Sequence, residues 1–219
     1  MDGFDPQHIC NHSDHQGRYA FARQPAIAYW NLMCLGQALL PLIGDSDRAL
    51  AAIDRFKTAY PACFEAAMAK KLGFGTPPAA DALRQNLNAV LGLMAQEQTD
   101  YTVFWRALGT YARTGERNAV LDQVVNREGF DAWLLSFEEL HAQYGQGPDA
   151  DLMHKANPKY VLRNHLAQQA IEKAETGDFR LLNDLLAVLA APYDEHPGFE
   201  AWAAPAPEWA RSLQLSCSS

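Results

Sequence analysis

Residues 4–25, FDPQHICNHSDHQGRYAFARQP, gather histidines, two aspartates, a cysteine and a Gly-Arg-Tyr step between two prolines. Their apolar residues repeat at neither 3.6 nor 2, so the shape of this segment must come from tertiary contacts rather than local propensity. After Pro25 the pattern changes, and apolar residues recur at steps of three and four almost to the end of the chain. No stretch alternates convincingly as a strand. The contrast predicts an all-α, bundle-like fold with an irregular head and an irregular tail.

Working outward from Pro25, Ile27, Trp30, Cys34, Ala38 and Leu42 form a stripe expected to face a core, in a helix that ends between Pro41 and Gly44. Asp45 and Ser46 are cap candidates for a helix over 47–60, which Pro61 should kink or restart and Gly73 should end. Leu83, Leu87, Val90, Leu91 and Met94 align on the next helix, and Asp100 caps one through Phe104, Trp105, Leu108 and Tyr111. Two further helices are expected at 116–126 and 131–144. Asn157-Pro158 reads as the start of another, with Val161, Asn164, Gln168 and Ile171 on one face. On the last, Phe179, Leu182, Leu185, Leu186 and Leu189 should point inward. Prolines 192, 197, 205 and 207 then impose an extended tail with one helical turn around 208–213. The expected organisation is one domain: a head over 1–24, a helical core over 25–191 and a tail over 192–219.

With 219 residues and 48% apolar content the chain can bury a substantial core. A formal net charge of -8 without a Lys/Arg stripe excludes nucleic acid and anionic lipid surfaces as partners. The opening MDGFDPQH does not read as a secretory signal, and the run Leu185 to Pro192 is too short to cross a bilayer. The expectation is a cytoplasmic protein with no membrane contact. Four cysteines are too few for a disulfide scaffold.

Cys10, His12, Asp14 and His15 are metal-ligating types, but their spacing fits no common zinc site, and a structural loop is the favoured reading. Cys10 and His12 lack the orienting third group of a nucleophile pair. Cys34 and Cys63 lie on apolar stripes and read as small core residues. Arg18 either clamps an anion or pairs with Asp14, and the ion pair is favoured. The residues by themselves give no catalytic group and no metal site.

Four stretches go further. ICNHSDHQGRYAFARQPAIAYWNL at 9–32, DYTVFWRAL at 100–108, NPKYVLRNHLAQQAIEKAETGDF at 157–179 and PYDEHPGFEAWAAPAPEWARSLQLSCSS at 192–219 resemble the C-terminal half of the SelO, or YdiU, family. The resemblance implies a protein-kinase-like (pseudokinase) fold, of which this chain would be the helical C-lobe portion, with residues 4–25 in the place of an activation segment. It implies ATP bound with Mg²⁺ or Mn²⁺, and transfer of AMP to Ser, Thr or Tyr of protein substrates. The family's glycine-rich loop, nucleotide-contacting Lys and Arg, catalytic Asp and metal-binding Asn and Asp fall upstream of DGFDP. Met1 then corresponds to an internal methionine, the chain alone is expected to be inactive, and it should bind no cofactor by itself.

The resemblance also implies a redox pair. Cys217 matches the family's C-terminal selenocysteine or cysteine, and Cys10 matches its disulfide partner, while His12, Asp14 and Arg18 make up the polar cluster of the loop. The implied partners are protein substrates and the missing upstream half, with self-association through the apolar surface that half would cover. The alternatives are a free-standing helical interaction module and a small redox sensor.

Overall fold

The computed structural model describes residues 2–11, 13–145 and 147–213. Among these there is no strand, only an isolated antiparallel bridge between Gly3 and Asp100. The helices are α1 (Gln24–Ile43), α2 (Ser46–Lys71), α3 (Ala80–Glu97), α4 (Tyr101–Thr114), α5 (Asn118–Leu121), α6 (Arg127–Gln143), α7 (Ala150–Ala156), α8 (Asn164–Glu175), α9 (Arg180–Ala190) and α10 (Glu200–Ala203). Short 3-10 segments lie at Phe21–Arg23 and Glu208–Ser212. The all-α expectation holds. The described chain divides into two compact units, one of residues 2–4 with 67–213 and one of residues 5–66.

The first unit has a dense aromatic core. Leu83, Leu87, Val90 and Met94 of α3 meet Phe104, Trp105 and Leu108 of α4 and Phe130, Trp133, Leu134 and Phe137 of α6, all buried. Phe104 sits 5.4 Å from Phe130 and 5.9 Å from Trp133, centroid to centroid, within the range of favourable ring contacts. Side-chain caps fix where the helices start: Asp100 accepts from the Val103 amide, Asn126 from Gly129 and Asp149 from Leu152. A smaller cluster joins Leu166 and Ala170 of α8 to Leu185 of α9, with Trp202 of α10 against it.

One polar cluster ties this unit together. The Phe4 amide donates to the Thr99 carbonyl at 2.8 Å and the Tyr101 amide to the Asp2 carbonyl at 3.1 Å. Arg163, whose side chain is 2% exposed, donates from Nη1 to Asp2 and to Asp100, each at 2.7 Å. Asp100 therefore caps α4 and neutralises a buried guanidinium at the same time.

The second unit is built differently. It consists of the head, α1 and most of α2, and among its described residues only Ala20 and Ala49 are buried apolar side chains. Gly36 lets α1 pass close to α2, since a Cβ there would lie 2.5 Å from Cδ1 of Ile53. The Tyr29 hydroxyl donates to Asp54 at 2.8 Å. Otherwise the pair of helices leaves its apolar side open.

Several expectations need correction. Trp30, Cys34 and Leu42 are exposed rather than core-facing, and so is Cys63, because no described residue of their unit forms a third layer over the two helices. Phe21–Ile43, not Leu185 to Pro192, is the longest apolar helix, and by length and composition it is long enough to cross a bilayer. A helix covered by other protein has the same composition, so this alone does not make the chain a membrane protein. Pro61 does not start a new helix, and α2 runs through it at the loss of one backbone hydrogen bond. The helix expected over 116–126 is only the four residues of α5, and α6 starts earlier than 131, where Asn126 caps it.

Asn157 does not start a helix. It is buried, ends α7, and donates from Nδ2 to the Lys71 carbonyl at 3.1 Å, so residues 158–163 run irregularly until α8 begins at Asn164. The buried face of α8 is accordingly His165, Leu166 and Ala170, with Ile171 outside. On α9 only Leu185 and Val188 are buried, whereas Phe179, Leu182 and Leu186 are exposed.

Removing one member of a buried ion cluster strands the others, so Arg163→Met should destabilise the chain by about 3 kcal/mol in chemical denaturation, without loss of bound ligand as the cause.

Lys71 is a second, half-buried cation, with no carboxylate partner among the described residues but with the rings of Tyr101 at 5.4 Å and Trp105 at 5.6 Å. Burial pulls its amine down to about 8. The unfolded chain then holds this proton more tightly than the folded one between roughly pH 8 and 10.5, so stability should rise with pH across that window. Burial pushes the Tyr101 phenol up, a contribution present below its unfolded value and lost above about pH 10. Denaturant titrations should therefore show a gain of about 2–3 kcal/mol between pH 8 and 10 and a fall beyond, and Lys71→Met should abolish the gain.

Candidate functional site

The head is where the sequence concentrates its polar groups, and its backbone is closed by a set of short-range hydrogen bonds. The amides of Phe21 and Ala22 donate to the carbonyls of His8 and Pro6, bringing the two ends of the loop together. Between them Asp5 and Asn11 accept from amides two residues on, the turn chemistry expected of Asp and Asn. Gly17 takes a φ of 62°, a left-handed position that glycine adopts without strain.

Asp14 is the anchor. Its Oδ1 accepts from the Arg18 amide at 2.8 Å and its Oδ2 from the Tyr19 amide at 2.7 Å. Both oxygens are thus used in holding the turn. The expected Arg18–Asp14 ion pair is replaced by these backbone contacts, and the Arg18 guanidinium instead lies over Trp30, 4.3 Å from the ring centroid.

Cys10, Asn11, Ser13, Asp14 and Tyr19 border a shallow cleft of about 320 Å³. Cys10 is a free, exposed thiol, as are Cys34 on α1 and Cys63 on α2. An accessible thiol can enter thiol–disulfide exchange as its thiolate. His12 and Cys217 lie outside the described residues. Among those that are described, no three His, Cys, Asp or Glu side chains form a grouping that would hold a metal ion.

Sequence reasoning missed Arg163 and Lys71, whose partners are distant in the chain, and it passed over the basic side of α4. For α4 there was a signal: Arg106 and Arg113 are seven apart on one helix face.

Comparison with known proteins adds what the geometry alone does not supply. The family model described as protein adenylyltransferase SelO matches residues 1–190. A protein nucleotidyltransferase YdiU from Variovorax paradoxus is 55% identical over 219 residues, and one from Albidiferax ferrireducens is 50% identical over 221. Each alignment takes in all of this chain but only 44% and 45% of the relative, so the chain spans less than half the length of the curated relatives it matches.

Replacing Asp14 by Ala should free the Arg18 and Tyr19 amides and weaken the turn by about 1 kcal/mol, read as roughly fivefold faster hydrogen exchange at those two amides while exchange in α4 and α6 is unchanged.

Proposed function

The chain belongs to the SelO family, and from that premise we propose that it is the C-lobe-like, C-terminal portion of a kinase-like adenylyltransferase that moves AMP from ATP to Ser, Thr or Tyr of proteins. The observation that carries this reading is identity of 55% along the whole chain to a relative named a protein nucleotidyltransferase, of which the chain represents 44%. Nucleotidyl transfer requires a phosphate cradle, a divalent metal and a base in one geometry. The described residues do not fit ATP with Mg²⁺ or Mn²⁺: the Asp2 and Asp100 carboxylates contact Arg163, and Asp14 is held by backbone amides. Those groups belong to the remaining part of the protein.

In this reading residues 67–213 act as a rigid scaffold, and the head offers an activation-segment-like surface to protein substrates in the cytoplasm. The head over 1–24, the helical core over 25–191 and the tail over 192–219 serve as one portion. The exposed Cys10 is the accessible half of a redox latch with Cys217, closing when an oxidant removes two electrons and two protons from the thiol pair. The open apolar side of α1 and α2 supports contact with the remaining half and equally favours a second reading, a helical interaction module.

The test is incubation with Mg²⁺ or Mn²⁺ and ATP labelled on the α-phosphate. The chain alone should incorporate no label. Adding the separately produced remaining half should restore transfer to protein, and in that mixture Cys10→Ser should remove any response to dithiothreitol. Label taken up by the chain alone, or no transfer by the mixture, would overturn the reading.

A further inference from the structure

The first unit contains a cleft of about 490 Å³ along α4. Thr102, Arg106, Thr110 and Arg113 follow one another along one side of α4, and His154, Lys159 and Glu195 face them. Arg106 is fixed in place: its Nη1 donates to the carbonyls of His154 and Asn157 at 3.2 Å and Tyr193 at 3.4 Å, and its Nη2 reaches Glu195 at 3.2 Å. Lys159 pairs with the other oxygen of the same Glu195 carboxylate. Arg113 lies 3.1 Å from Nδ1 of His154 and 2.8 Å from Asp151.

Three permanent cations of the cleft therefore meet two carboxylates: Glu195, 68% exposed on an arm beyond Pro192 and shared by Arg106 and Lys159, and Asp151, which pairs with Arg113. In a chain of net charge -8 this is a local positive excess. An exposed Glu bridging two cations is held weakly against water, whereas the guanidinium it touches is preorganised by three backbone carbonyls. Glu195 and Asp151 together leave one positive charge in excess, and exchanging Glu195 for a phosphate dianion removes it.

We propose that this cleft binds a phosphate dianion, free or as a monoester, which displaces Glu195 from between Arg106 and Lys159 and is closed off by Arg113. Val103, Ala107, Ala119 and Ala203 line the rest of the cleft and provide an apolar floor for the organic part of an ester. This site is independent of the adenylyltransferase reading.

His154 is the built-in reporter. Burial and the charge of Arg106, then Arg113, hold its imidazole below the ordinary value, opposed by the Ala150 carbonyl and Asp151. Lys159 and Glu195 border the same cleft. A dianion placed there stabilises the imidazolium and raises its pKa.

The experiment is an NMR titration of His154 in the 219-residue chain with inorganic phosphate and with phenyl phosphate, at ionic strength matched with sodium chloride. Both should saturate and raise the His154 pKa by about half a unit or more. Tighter binding of phenyl phosphate identifies an ester as the ligand, and equal binding identifies free phosphate. Glu195→Gln, which removes the competing carboxylate from an exposed position, should tighten binding about tenfold, and Lys159→Gln should weaken it about tenfold. The proposal is overturned if phosphate shifts His154 no more than chloride does, or if Glu195→Gln fails to tighten binding.

Discussion

A guanidinium with 2% of its side chain exposed must be neutralised where it stands, and Arg163 achieves this with Asp2 and Asp100. The three residues come from the start of the chain, the entry to α4 and the irregular segment before α8. Asp100 also accepts from the Val103 amide, so the same carboxylate that holds Arg163 sets the first turn of α4. From there Phe104, Trp105 and Leu108 point into the aromatic core with α3 and α6. The electrostatic requirement of one arginine thus fixes where the principal core helix begins. It also fixes where α8 begins, because the chain must reach Arg163 in extended form, with ψ of 144° at that residue, before it can turn helical.

That requirement marks the limit of what could be read from the sequence. Helices whose apolar residues repeat against one core were legible: the stripe Leu83, Leu87, Val90 and Met94 is buried, and Asp100 caps α4 as its position predicts. Asn157-Pro158 has the local chemistry of a helix start and is not one. Its Asn is used at long range, on the Lys71 carbonyl 86 residues away, and no local pattern records such a partner. The polar head was legible as irregular and held by tertiary and turn contacts, but not as a turn whose carboxylate reads the amides of residues 18 and 19 rather than the Arg18 side chain.

The stripe on α1 fails for another reason. Periodicity reports that one face of a helix is apolar and says nothing of what covers it. In the first unit the stripes on α3, α4 and α6 pack against one another. In the second, Trp30, Leu35 and Leu42 stay exposed among the described residues, and the chain spans less than half of the relatives it matches. An apolar stripe reads as core in the sequence whether or not a neighbouring surface covers it, so the same amino acids are consistent with a buried face and with an open one.

The two basic clusters of the first unit show how similar residues come to differ in role. Around Arg163 two carboxylates surround one cation, 13% and 32% of their side chains exposed, and nothing remains to attract a ligand. Around Arg106 the balance is inverted: Lys159 and Arg113 are added, Glu195 is shared by Arg106 and Lys159, and Asp151 pairs with Arg113, so three cations meet two exposed carboxylates. Burial decides which outcome is stable. A buried cation must have its carboxylates beside it, because water cannot reach it. An open cluster can keep an excess, because solvent screens it until an anion with better geometry arrives. The backbone carbonyls that hold Arg106 support that distinction: they fix the guanidinium in position without consuming its charge.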